Sequence, residues 1–322
     1  MTAPASVKAP PSRRASTSGS EGPPSRRAFT VRRRSEARWG LVMIAPLGLG
    51  LLLFYLWPIA QTFYFGFTKW GPFGGSEWTG LANYERLLAD AEVWTALRNS
   101  LVYTALVLLG VPVAIMFAAL LNQSRLRGRG IFRTLYFLPV VTMPSAIAML
   151  WQYLYNGDFG VLNQLLALVG VDGPSWMSDP RTAPYALAVI GVWMAFGYNL
   201  VILMAGLQNV PKQLYEASAI DGAGPVRQFL SITVPMLSPT IFFVSVISVI
   251  GTLQMFDLVY LMMPPGSPAL PAAQTIVHLF YSTSFVKNDP GYGAAIAFLL
   301  FVVIALLTAV QFRIQRRWVH YA

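Results

Sequence analysis

A chain of 322 residues with 11% charged and 55% hydrophobic side chains, and a mean hydropathy of +0.54, falls well short of the roughly 25% charge typical of water-soluble proteins. The net charge of +10 would suggest nucleic acid. However, nine basic groups against Glu21 and Glu36 lie in residues 1–38, which leaves only +3 for the rest and no basic face interleaved with aromatics. Cysteine is absent, which excludes disulfides, Cys-ligated metal and a thiol nucleophile.

Residues 1–38 are rich in Pro, Ser, Gly and Arg, with almost no large apolar residue before Phe29. Such a segment cannot bury enough surface to order itself, and it reads as a disordered basic cytosolic tail. Its charge would attract lipid and set topology, with regulation as the alternative role. Residues 39–322 read as one transmembrane domain.

Six uncharged apolar runs follow: Trp39 to Phe67, Asn99 to Leu121, Thr134 to Tyr155, Pro184 to Leu207, Met236 to Met263 and Gly293 to Phe312. Each is long enough to span a bilayer as a helix, and the first lacks a convincing cleavage site and reads as an uncleaved span. Only Asp257 places a charge inside a run; no Lys or Arg is expected within a span. The N-terminal tail, the second-to-third loop (Arg125, Arg127, Arg129, Arg133), the fourth-to-fifth loop (Lys212, Arg227) and the C-terminal tail (Arg313, Arg316, Arg317) hold 18 basic residues. The opposite side holds five: Lys69, Arg86, Arg98, Arg181 and Lys287. Both termini are therefore predicted to be cytosolic.

In the outer loops, Leu81 to Trp94 and Leu162 to Val169 have helical spacing, and Trp70, Trp78, Trp94 and Trp176 fit an interfacial aromatic belt or a partner surface. Catalytic material is scarce. None of the four lysines follows a glycine, so no P-loop can form, and His278 and His320 are too far apart for a helical metal pair. No catalytic or metal residue is assigned, and energy for uphill transport must come from another chain or an ion gradient.

The loop Pro211 to Thr240 reads as two short helices. Pro211 opens the first, with Leu214, Ala217, Ser218 and Asp221 at helical spacing and Gly222 as a left-handed C-terminal cap. Pro225 opens the second, with Val226, Phe229, Leu230 and Thr233 on one face, and Pro235 is expected to stop it before the fifth run. The element offers an apolar knob and two carboxylates to a docking partner; an ordinary amphipathic connector is the plainer alternative.

Glu216-Ala217-Ser218, Gly222, Ile232 and Val234-Pro235 resemble the EAA loop of bacterial ABC importer permeases, with Ser218 for Ala and Val234 for Leu as departures. The stretches Leu126 to Gly130, Tyr136 to Pro139, Trp176 to Pro180, Phe256 to Tyr260 and Arg313 to Trp318 are similar to carbohydrate-uptake permeases related to the maltose and glycerol-3-phosphate systems. Where those commonly carry a glycine-rich segment, this chain has Pro264-Pro265-Gly266-Ser267-Pro268.

The resemblance implies an all-α, type I ABC importer permease fold with six transmembrane helices in a bacterial plasma membrane. It implies a non-catalytic subunit that moves a sugar or oligosaccharide inward. Its partners would be a second homologous permease, two copies of a cytosolic ATPase that bind ATP and Mg, and an extracytoplasmic solute-binding protein. Glu216, Ala217, Ser218, Asp221, Gly222, Phe229 and Pro235 would couple to the ATPase. Alternatives are a permease for glycerol-3-phosphate or its phosphodiester, and, from another class, an ion-coupled secondary transporter. The latter should show half-repeats and several intramembrane charges, which are absent here.

Polar groups in spans should face a cavity. Ser248, Gly251, Thr252 and Met255 form a helical stripe at the middle of the fifth run, and Trp193, Tyr198 and Asn199 form a polar and aromatic group in the fourth. By resemblance to the maltose permease, Met194, Ala195, Tyr198, Ser248, Gly251, Thr252 and Met255 would line the pathway. Helix-to-helix hydrogen bonding is the alternative for Ser248 and Thr252. Asp257 is expected to be a structural carboxylate bonded to a neighbouring helix near the outer end.

Overall fold

The computed structural model describes residues 26–70, 75–122 and 128–319. It comprises two units, Met1–Pro58 and Ile59–Ala322. In the first, α1 (Arg26–Leu51) is followed by a π-type turn, Leu52–Leu56, and the start of α2 (Trp57–Phe65). The helix over Arg26–Arg38 differs from the disorder expected there; most of that stretch is Arg, Ala and Glu, which are good helix formers. Residues 1–25 of the expected tail lie outside the described residues.

In the second unit, β1 (Thr68–Trp70) and β2 (Ser76–Trp78) form a short antiparallel hairpin with Thr68 opposite Trp78, which periodicity did not reveal. Next come α3 (Ala82–Ala89), α4 (Ala91–Leu108) and α5 (Gly110–Leu121). The Asp90 carboxylate caps α4 by accepting from the Glu92 amide at 2.9 Å. Ala91–Leu121 is long and apolar enough to cross a membrane as one helical track, which starts earlier than the apolar run and carries an exposed Arg98 near its beginning. The cap at Asp90 starts the helix ahead of the apolar run. Leu126, Arg125 and Arg127 lie outside the described residues, as does His320.

The third run is not one straight helix. Between α6 (Arg129–Val141) and α7 (Pro144–Leu154) the chain turns by 105°. Met143, at ψ 139°, precedes Pro144, whose ring disfavours helical backbone before it. After α8 (Val161–Ala167) comes α9 (Ala183–Leu207), the centre of the bundle, which packs against α4, α5 and α6. Glycines permit this approach: a Cβ at Gly197 would meet the Tyr136 carbonyl, and one at Gly110 would lie 2.9 Å from Val192.

The loop after α9 forms α10 (Lys212–Ile220), α11 (Pro225–Gln228), a π-type turn at Phe229–Thr233 and α12 (Val234–Met236). Pro235 does not stop this track. The Val234 amide reaches the Phe229 carbonyl, an i to i−5 bond, and the wider turn admits the proline ring and its missing donor. The 68° bend comes after Met236, before α13 (Ser238–Leu253).

The fifth run is likewise broken. Helix α13 ends at Leu253, and α14 (Asp257–Met262) starts anew after Gln254–Phe256. The freed Met255 carbonyl accepts from Thr275 Oγ1 at 2.8 Å, which satisfies irregular backbone inside the bundle. The proline-rich replacement segment makes a turn, with the Ser267 amide donating to the Pro264 carbonyl at 3.1 Å and Gly266 at φ +84°. Then α15 (Leu270–Ala273), α16 (Ile276–Tyr281), a π-type turn at Ser282–Val286 and α17 (Pro290–Trp318) complete the chain. Among the described residues, four helices are apolar and long enough to span, or up to six when each bent pair counts as one span.

Candidate functional site

Two regions carry the residues singled out from sequence. The first is the loop α10 to α12. Helix α10 ends in a Schellman arrangement: Gly222 adopts φ +77°, its amide reaches the Ala219 carbonyl at 3.1 Å, and the Ala223 amide reaches Ser218 at 2.9 Å. This is the left-handed cap expected at Gly222. Ser218 has a use that Ala could not serve. Its hydroxyl donates to the Tyr215 carbonyl at 3.0 Å and accepts from Gln228 Nε2 at 2.9 Å, which bolts the two short helices together. Tyr215 Oη and Thr233 Oγ1 share a hydrogen bond of 3.0 Å. Tyr215 and Gln228 carried no sequence signal, because their partners are 18 and 10 residues away.

Phe229 packs half-buried on the core around Leu121, Leu207 and Leu237, and Thr233 is buried. Val226 and Leu230 instead point outward, so these four do not share one face; the π-type turn changes the phase between them. Ile220, Val226 and Leu230 are 87%, 73% and 61% exposed, beside exposed Glu216, Ala217 and Asp221. Pro235 is half-buried. A fastened pair of helices thus shows an apolar knob flanked by carboxylates, a surface suited to a protein partner.

The second region is a cavity of about 370 Å³ between α9 and α13, within the size range of small-molecule sites. Met194, Ala195, Tyr198, Ser248, Gly251, Thr252 and Met255 all line it, joined by Tyr103, Asn199, Gln254, Phe256 and Asp257. The Tyr198 ring is 46% exposed. Ser248 and Thr252 are almost buried, and their hydroxyls also do the work of the alternative reading. Thr252 Oγ1 bonds Thr104 Oγ1 at 3.1 Å and the Ser248 carbonyl at 2.7 Å, and Ser248 Oγ lies 3.5 Å from Asn199 Oδ1. A Cβ on Gly251 would meet nothing within 4 Å.

Asp257 departs from expectation: it is exposed, lines the cavity and has no hydrogen bond to a neighbouring helix among the described residues. The break at Gln254–Phe256 turns it inward, which a continuous helix would not. Trp193 packs edge-on against Trp151, with ring centroids 5.8 Å apart, and does not face the cavity. Trp176 is drawn in from the expected belt, its indole donating to Asn163 Oδ1 at 2.7 Å. His278 stacks on Phe256 with centroids 6.2 Å apart, and burial pushes its imidazole below the ordinary pKa, which favours the neutral ring.

Residues 110–320 match the family model described as a binding-protein-dependent transport system inner membrane component. The chain is 34% identical over 274 residues to the arabinooligosaccharides transport system permease protein AraP of Bacillus subtilis, covering 84% of this chain and 86% of that one. It is 32% identical to the trehalose/maltose transport system permease protein MalF of Thermococcus litoralis, covering 87% and 95%. Identity is also 32% to the sn-glycerol-3-phosphate transport system permease protein UgpA of Agrobacterium fabrum, covering 87% and 95%. A chain in the crystal structure of a bacterial ABC transporter involved in the import of the acidic polysaccharide alginate shares the fold, with TM-score 0.77, 22% identity and coverage of 90% and 99%.

Proposed function

We infer, because the chain belongs to the family of binding-protein-dependent transport system inner membrane components, that the cavity between α9 and α13 is the passage for a saccharide. The chain is a non-catalytic, membrane-embedded permease subunit with the all-α fold of type I ABC importers. The observation that carries the substrate reading is the convergence of an exposed tyrosine ring, methionines and neutral polar groups on one cavity at a broken span. Rings stack on the apolar faces of sugars, and neutral donors and acceptors meet hydroxyls. Glycerol-3-phosphate, which the name of UgpA raises, suits this wall less well because its only formal charge is the Asp257 carboxylate.

The further reading is that a second permease pairs with this one, and that two cytosolic ATPases take the knob formed by α10 and α11 into a cleft. Closure of the ATPases on ATP then swings the spans from inward- to outward-facing. Residues 39–322 act as the transmembrane domain, with both termini cytosolic and the basic segment before Trp39 supplying topogenic charge.

The test is uptake of neutral oligosaccharides and of glycerol-3-phosphate by the reconstituted complex. Tyr198→Ala should lower sugar uptake several-fold to about tenfold, since a ring contact contributes on the order of 1 kcal/mol, without disturbing nucleotide-dependent assembly. Transport of the anion alone, or an unaltered rate in this variant, would exclude the saccharide reading.

Orientation has its own check, made simple by the absence of native cysteine. Asp172→Cys and Lys287→Cys should both react with an impermeant maleimide added to intact cells. Labelling only after the inner face is opened would invert the topology.

A further inference from the structure

A ladder of aromatic rings leads away from the cavity. Phe256, which lines the cavity, stacks on Tyr260 with centroids 5.1 Å apart, and Tyr281 lies 5.0 Å from Phe256 and 5.3 Å from Tyr260. The next ring, Phe285, is 5.6 Å beyond Tyr281. The direction of the ladder is fixed by where its carrier, α16 with the turn after it, is moored along α4. Beside the cavity, Thr275 Oγ1 holds the Met255 carbonyl and the Ile276 amide donates to Ser100 Oγ at 2.9 Å. At the far end, Lys287 Nζ pairs with Glu92 Oε2 at 3.4 Å. Ser100 and Glu92 stand eight residues apart on α4, about 12 Å at the usual helical rise. The rings therefore climb from the cavity wall to the first turn of α4.

The ladder faces the polar side of the bundle. Tyr260 follows Asp257 by three residues on α14, so the two share a helical face. A carboxylate is costly against hydrocarbon, and so is the exposed Gln254 amide just before the helix, which marks that face as one turned to water. Tyr260 is 48% exposed and Phe285 68%, with Tyr281 half-buried against both. The free ring surface thus continues from the cavity outward, rather than ending at its mouth.

We propose that Phe285, Tyr281 and Tyr260 form an entry subsite, on which successive rings of a neutral saccharide rest their apolar faces before passing Phe256 into the cavity. Stacking reads the C–H face of a sugar and needs no charge, so the subsite responds to the length of the solute. A chain of several sugars touches ladder and cavity together, whereas a single sugar held in the cavity leaves the ladder empty. The inference rests on the inner cavity being the solute passage, and it adds to that cavity a second saccharide site of separate residues.

The test is saturation-transfer NMR on the complex reconstituted in phosphatidylcholine nanodiscs, titrated with maltotriose, cellotriose and arabinotriose and with glucose and arabinose. At least one trisaccharide should bind about tenfold more tightly than its monosaccharide, the scale of one or two added ring contacts. Tyr260→Leu and Phe285→Leu keep apolar bulk and lose only the ring. Each should weaken that trisaccharide about fivefold and the monosaccharide less than about twofold, and Tyr260→Phe should bind as the unaltered protein does. Because the chain has no native cysteine, Tyr260→Cys should react cleanly with an impermeant maleimide and be shielded by the trisaccharide. Absence of trisaccharide binding, equal affinities for the two lengths, or leucine variants that bind normally overturns the proposal. So does a thiol that stays unreactive or unshielded, which gives the ring to the lipid belt instead. Tyr198→Ala separates this site from the cavity. If it weakens both sugars while the leucine variants are silent, the ladder fails and the passage stands; if it changes neither while the leucine variants act, the passage reading fails and the ladder stands.

Discussion

Gly251→Trp abolishes solute uptake while the protein remains at normal abundance in the membrane and still assembles with its partners. The argument is geometric. A Cβ at Gly251 meets nothing within 4 Å, and the residue lines the 370 Å³ cavity, so an indole there has room to form and then fills the passage. Uptake should fall by on the order of a hundredfold, because losing the space for a ring and its stacking partner removes several interactions of ~1 kcal/mol each. Gly197→Ala is the contrasting control. Its Cβ would meet the Tyr136 carbonyl where α9 crosses α6, and overpacking there should cost about 1–3 kcal/mol and lower abundance instead. Near-normal uptake by a well-folded Gly251→Trp protein would remove the cavity from the solute's route.

Glu216→Lys and Gly222→Asp leave the protein folded but uncouple it from ATP. Glu216 is exposed beside the apolar knob, so reversing its charge changes the docking surface without disturbing the core. At Gly222 the added side chain points into open space at φ +77°, a conformation that costs a non-glycine residue ~1–2 kcal/mol. The bundle tolerates that, whereas a partner docked on the bend, as proposed, would not. Uptake should be lost, with the ATPase no longer co-purifying. Retention of both ATPase and transport in the two variants would assign the loop a purely structural role.

The loop could be read from sequence because its determinants are local. Pro211, Gly222 and Pro225 act within a few residues of themselves, and the cap at Gly222 has the geometry such a glycine allows. The apolar runs could be read for the same reason, since spanning length is a property of consecutive residues. The seven residues expected to line one passage do meet in one cavity: helical spacing put Met194, Ala195 and Tyr198 on one side of α9 and Ser248, Gly251 and Thr252 on one side of α13, while Met255 reaches it from the break that follows. Whether solute passes there is a separate matter for the uptake experiments.

The breaks could not be read. Hydropathy does not distinguish a straight span from a bent one: the 105° turn at Pro144 and the passage of a helix through Pro235 turn on local backbone geometry that leaves apolarity unchanged, and the interruption at Gln254–Phe256 has its freed carbonyl taken up by the distant Thr275 hydroxyl. Those breaks moved Asp257 from a presumed helix contact to the cavity wall. The cap at Asp90 similarly started α4 ahead of the apolar run. From sequence alone came the membrane class, the runs, the two-helix loop and the faces, because each follows from charge, length and period along the chain. Tertiary structure alone decided which hydroxyls are engaged in packing, how the broken fifth run is satisfied and which charge lines the cavity, since those outcomes turn on contacts between residues tens to hundreds of positions apart, such as Thr252 to Thr104 and Asn99 to Gln274.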